Sequence, residues 1–156
     1  MYKVLIIYIF ILNYSLTYSQ VERVYMNSID EKMKLSPKKV IILISTDWCS
    51  YCEVQKKIMK NGNVKVKENP PFYYVEFDAE SKDNYLFNGQ NYFYNPKMKT
   101  HPLAIALNEG NKNMIYPLWV IINENYEIIY KKSAFLKPRS LQQLLDKIQE
   151  NPSNKY

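Results

Sequence analysis

The sequence predicts an α/β fold in which a mixed central sheet is flanked by helices. Lys39 to Ser45 is a branched apolar run without polar alternation, as expected of a strand buried on both faces. A helical pattern begins near Cys49, and a second strand follows Pro70-Pro71. That order implies a right-handed crossover between parallel strands. Near the C-terminus Leu141, Leu144, Leu145 and Ile148 recur with the 3.6-residue period of a helix laid on a core.

Taken in order, Lys3 supplies a positive charge, Val4 to Leu12 is unbroken apolar sequence, and Asn13 to Ser19 turns polar. This reads as a secretory signal over residues 1–19, cleaved near Ser19-Gln20, with a retained anchor, a lipid-linked form or an ordinary N-terminal strand as the alternatives. The apolar run is shorter than the ~20 residues of a comfortable membrane span. Residues 20–150 would form one domain and 151–156 a frayed tail. Val21 to Lys34 is polar, and Ser28 is expected to cap a short helix through Met33 that Pro37 ends. On the helix after Cys49, Val54, Ile58 and Met59 would share the inner face, with Glu53, Lys56, Lys57 and Lys60 outside it and Asn61-Gly62 as the stop. Phe72 to Asp78 is the second strand. Tyr85 to Tyr94 reads as a hairpin, because Asn88-Gly89 suits a turn needing two positive φ angles. Thr100 is expected to cap a helix over Pro102 to Leu107, ended by Gly110. Pro117 to Ile122 is a buried strand, Asn123 to Asn125 a turn, and Tyr126 to Lys131 an antiparallel partner. Pro138 opens the last helix.

A chain of 156 residues, 47% hydrophobic and 23% charged, suits one soluble domain. Its formal charge of +6, which drops by one if Lys3 leaves with the signal, attracts acidic partners. No basic motif interleaved with aromatics marks a nucleic-acid site. Lys56, Lys57, Lys60, Lys65 and Lys67 read as a solvated face. A monomer is expected.

Two cysteines three positions apart would staple almost no chain, so their spacing favours chemistry over a structural bridge. Trp48-Cys49-Ser50-Tyr51-Cys52 lies where the buried strand hands over to a helix. There the unpaired N–H groups of the first turn and the helix dipole favour an anion. Comparable sites lower a cysteine pKa from about 8.5 to roughly 3.5–7.5. Cys52 follows one turn on, at a Cβ separation of about 5–6 Å, which permits a disulfide. The chemistry expected is attack by a Cys49 thiolate on a substrate disulfide, then release of the reduced substrate by Cys52.

Trp-Cys-x-x-Cys after a buried strand, with a downstream proline opening another strand, resembles the thioredoxin superfamily over roughly residues 30 to 150. More narrowly it is similar to exported bacterial members, including the C-terminal domain of the periplasmic electron-relay reductase. Phe87-Asn88-Gly89 and the segment leading to Tyr116-Pro117 look like a hairpin and helix insertion seen in some of them. The resemblance implies a thioredoxin-like fold and a cis Tyr116-Pro117 peptide facing the cysteines, the alternative being a trans proline that begins a strand. It also implies a substrate surface formed by Trp48, Ser50, Tyr51, Tyr116 and Pro117.

The activity implied is thiol–disulfide exchange on disulfide-containing exported proteins, as reductase or isomerase, in the periplasm or outside the cell. A membrane electron donor would feed it, and no cofactor beyond the redox-active disulfide is expected. The chain departs from the family pattern at several places. Leu43 replaces the usual buried Asp, leaving Glu76 as a candidate for proton transfer, its other reading being an exposed strand carboxylate. Ser50-Tyr51 replaces Gly-Pro, Lys57 stands at the helical proline, and Ala134 at a late glycine. The alternative function is a binding module or copper carrier, with His101 as a third ligand beside the two thiolates; its other reading is a helix-start residue. Trp48 and Trp119 are expected to pack, Trp48 also bordering the active-site surface.

Overall fold

A computed structural model describes residues 21–150 and the backbone of 18–19. The signal reading for 1–19 falls almost wholly outside the described residues, and the tail 151–156 lies outside them. The strands are β1 (Tyr18–Ser19), β2 (Arg23–Val24), β3 (Lys39–Ser45), β4 (Val66–Lys67), β5 (Phe72–Asp78), β6 (Tyr85–Phe87), β7 (Gln90–Tyr92), β8 (Leu118–Ile122) and β9 (Ile128–Ser133). The helices are α1 (Ile29–Leu35), α2 (Ser50–Lys60), α3 (Pro102–Leu107) and α4 (Pro138–Glu150).

Five strands form the central sheet in the order β2-β5-β3-β8-β9. β3 runs parallel to β5 and antiparallel to β8, so the sheet is mixed, as the sequence predicts. All seven residues of β3 are buried, in keeping with its unalternating apolar composition. Side chains alternate across the sheet. Val40, Ile42, Ile44, Val75 and Phe77 face one core with α1 and α3; Ile41, Leu43, Tyr74, Trp119 and Ile121 face the other with α2 and α4. Burial of Leu141, Leu144, Leu145 and Ile148 on α4 follows the predicted period.

Several local expectations are corrected. The inner face of α2 consists of Cys52, Gln55, Ile58 and Met59, whereas Val54 is exposed. Ser28 stands at the start of α1, but its hydroxyl donates to the Tyr25 carbonyl at 2.8 Å instead of capping the helix. His101, not Thr100, caps α3: its Nδ1 accepts the Leu103 N–H at 3.1 Å. β9 begins two residues later than expected because Tyr126 adopts a positive φ of 61° in the turn. Trp48 does not pack in the core and is 68% exposed, while Trp119 is fully buried.

The hairpin forms with Asn88 and Gly89 both at positive φ, the conformation its sequence favours. The carboxylate of Asp30 on α1 pins it. Asp30 Oδ1 accepts the Asn88 N–H at 2.8 Å and the Tyr126 hydroxyl at 2.9 Å, and Oδ2 accepts the Gly89 N–H at 2.9 Å. One buried acid thus joins α1, the inserted hairpin and the β8–β9 turn.

Candidate active site

β3 ends at Ser45, and the chain turns through Thr46, Asp47 and Trp48 before α2. The Cys49 N–H donates to the Thr46 carbonyl at 3.2 Å, closing that turn. Cys49 is the residue capping α2, and its sulfur accepts the Cys52 N–H at 3.2 Å. A first-turn donor thus points at the N-terminal sulfur, as the strand-to-helix position predicts. Cys49 and Cys52 are joined in a disulfide with a Cα–Cα distance of 5.2 Å. Cys49 is 7% exposed and Cys52 is not exposed at all.

Of the residues singled out from the sequence, Trp48, Ser50 and Tyr51 flank the pair in the chain, and Tyr116 joins them through Trp48. Trp48 meets Tyr116 edge to face at 5.8 Å between ring centres, and its indole N–H donates to Glu80 at 3.0 Å. The Tyr116-Pro117 peptide is cis. Burial pushes the Tyr116 hydroxyl pKa up, and a hydrogen bond with Thr100 opposes that shift in part. Ser50 and Tyr51 are exposed on the first turn of α2, and Tyr51 leans on Phe135 at 5.9 Å between ring centres.

Gln55 was missed by sequence reasoning. Fully buried on α2, it accepts the Leu136 N–H at 2.7 Å and donates to the Leu136 carbonyl at 3.2 Å. The Ala134 N–H donates to the Pro117 carbonyl at 3.1 Å. The segment carrying Phe135 is therefore fastened to the cysteine helix and to the cis proline. The available signal was the place of Gln55 in the same helical frame as Cys52, Ile58 and Met59.

Glu76 faces the α2 side of the sheet, but both its oxygens are engaged: Arg23 Nη1 lies 3.3 Å from Oε2 and the Tyr74 hydroxyl 3.2 Å from Oε1. Asp78 lies two residues further along the same face, in register with Ser45. Burial raises its carboxyl pKa, the Glu80 N–H partly opposes this, and Asp47 adds to the rise. Asp78 is a second carboxyl on this face of the sheet that the sequence reading did not single out.

His101 is buried, with its ring edge-on to Phe77 and Tyr85. With Nδ1 accepting from Leu103, the tautomer places the single ring proton on Nε2, which donates to the Asp83 carbonyl at 3.0 Å. Both nitrogens are thus committed within the fold. Among the described residues no group of three His, Cys, Asp or Glu side chains could hold a metal ion.

Fold and site together define a thioredoxin-like α/β protein with a Cys-x-x-Cys disulfide at a strand-to-helix turn. Among solved structures it is similar to a mutant thioredoxin of Halobacterium salinarum NRC-1, with a TM-score of 0.52 and 13% identity over 85% of this chain and 96% of that one. It is also similar to the thioredoxin of Trypanosoma brucei brucei, with a TM-score of 0.51 and 13% identity over 85% and 95%. At this identity the likeness concerns the fold. No family model and no curated protein matches the chain.

Proposed function

We propose that this chain is a thiol–disulfide oxidoreductase that reduces or isomerises disulfides of exported proteins through Cys49 and Cys52. The observation that carries the reading is a Cys-x-x-Cys disulfide at the start of α2, in which Cys49 retains 7% of its surface and Cys52 none. In the reduced protein the Cys49 thiolate attacks a substrate disulfide. A Cys49–substrate bond forms, and one substrate thiolate departs. Cys52 then gives up its proton and attacks Cys49, releasing the second substrate thiolate and restoring the internal disulfide. Two electrons pass to the substrate, and an external dithiol donor, which we place at a membrane, must return them.

We assign acceptance of the Cys52 proton to Asp78. It lies on the sheet face covered by α2 and has the raised affinity for protons that burial confers. Glu76 is the less suitable base because Arg23 and Tyr74 occupy its oxygens. Export is supported by the charge, apolar run and polar stretch of residues 1–19.

The test is Cys52→Ala in a mixture with an exported disulfide protein. The variant is expected to accumulate a mixed disulfide through Cys49, visible as a mass adduct removed by dithiothreitol. Accumulation on Cys49→Ala instead would reverse the roles, and no adduct on either would end the proposal. For the proton acceptor, Asp78→Asn is expected to displace the pH–rate profile of the Cys52 step, with Glu76→Gln leaving it in place.

A further inference from the structure

The lysines that the sequence reads as a solvated face divide into two groups in the fold. Lys65 and Lys67 lie beside α4, their N–H groups held by Gln142 and Gln149. Lys56, Lys57 and Lys60 line a groove of about 500 Å³ between α2 and the sheet edge. That volume is in the range of about 300–1,000 Å³ usual for binding sites. Glu53, Lys56, Lys57 and Lys60 follow the i, i+3, i+4, i+7 spacing of one helix face, and Val21 and Arg23 stand at the opposite wall. Tyr74 and Glu76 also line it. Cations outnumber carboxylates by two in this lining: Glu53 pairs with Lys56, Glu76 pairs with Arg23, and Lys57 and Lys60 make no ion pair among the described residues.

We propose that this groove docks an acidic segment of the polypeptide whose disulfide Cys49 attacks; the inference rests on the exchange reading for its substrate. The groove begins at Glu53, the residue after Cys52. Glu53 to Lys60 spans about 10 Å at the helical rise, which matches three residues of extended chain at about 3.3 Å each. Lys56, Lys57 and Lys60 are spread over more than one turn of α2, which suits a row of Asp and Glu side chains better than a single small anion. Such charges act mainly on encounter rate and choice of partner.

The experiment compares the full protein with Lys57→Glu/Lys60→Glu and with a control, Lys34→Glu/Lys112→Glu, which makes the same charge change outside the groove. The binding arm uses a short fluorescent Asp/Glu peptide without cysteine, a Lys peptide and a single-stranded DNA oligonucleotide. Turnover is followed with a peptide disulfide flanked by acidic residues and with 2-hydroxyethyl disulfide. The expected result is acidic-peptide binding that weakens with ionic strength and falls about tenfold or more in the groove variant, with the control unchanged. The Lys peptide is expected not to bind. kcat/KM for the acidic disulfide should fall in parallel while that for 2-hydroxyethyl disulfide holds.

Equal binding by wild type and groove variant overturns the proposal. So does binding of the DNA without the acidic peptide, and so does an equal loss with both disulfides. A wild-type protein that binds the acidic peptide at Lys57 and Lys60 but turns over no disulfide would refute the exchange reading and leave the groove assignment standing.

Discussion

Replacing Asp30 with alanine removes one carboxylate and leaves three donors to find other partners: the N–H groups of Asn88 and Gly89 and the hydroxyl of Tyr126. A hydrogen bond to a charged acceptor contributes roughly 1.5–3 kcal/mol net. The hairpin turn is exposed, so water can take over part of the role for the two N–H groups, whereas Tyr126 and Asp30 lie deeper. We expect a loss of about 3–4 kcal/mol from a total of roughly 5–15 kcal/mol. In urea this should lower the unfolding midpoint by about 2 M, at a slope of about 1–3 kcal/mol per molar.

Tyr126→Phe removes one bond only and should cost about 1 kcal/mol, less in the absence of Asp30, so the double variant reports the coupling. The same pair governs alkaline stability. Burial, then the Asp30 hydrogen bond and charge, raise the Tyr126 pKa. The stability Tyr126 contributes is therefore fully present below its unfolded pKa of about 10 and is lost as pH rises through the raised folded value. Tyr126→Phe should flatten that alkaline loss. A midpoint for Asp30→Ala within about 0.3 M of wild type would refute the pin as a source of stability.

Gln55→Leu should cost about 2–4 kcal/mol in urea unfolding, because the N–H and carbonyl of Leu136 lose their side-chain partner inside the protein. Burial lowers the His101 pKa, with the Asp83 carbonyl opposing, so its contribution is present above about pH 6.5 and lost as pH falls through the folded value. His101→Asn, which retains a capping side chain, should make the urea midpoint less dependent on pH between about 4 and 7. Thr46→Val should leave stability unchanged or raise it by about 1 kcal/mol, since the Thr46 hydroxyl is buried and has no hydrogen-bond partner among the described residues; a clear drop in melting temperature would show that the hydroxyl is satisfied in solution.

Elements whose own composition dictates their burial were legible in advance. β3 is apolar at nearly every position, and α4 repeats leucine and isoleucine at one period, so both the strand and the helix follow from local pattern. The cysteine turn was legible because two reactive residues at one-turn spacing have few other uses. Features made by partners far apart in sequence were not. Arg23–Val24 becomes a strand only because β5 offers an edge, and two residues leave no periodicity to read. Gln55 looks like a surface residue until Leu136, 81 positions away, supplies both halves of its amide pairing. Capping at α3 was assigned one residue early because serine-like residues are the usual caps, whereas here an imidazole nitrogen fills that role.

The small exposure of Cys49 and the full burial of Cys52 have a consequence under attack from outside. Once the bond between them is opened, an alkylating reagent or peroxide arriving from solvent meets Cys49 and is kept from Cys52. Moderate oxidation to a sulfenic acid is repaired from within, because Cys52 can displace water and close the bond again. Alkylation offers no such exit: a single adduct on Cys49 strands an intact thiol behind it, and the protein is silenced with half of its sulfur chemistry untouched.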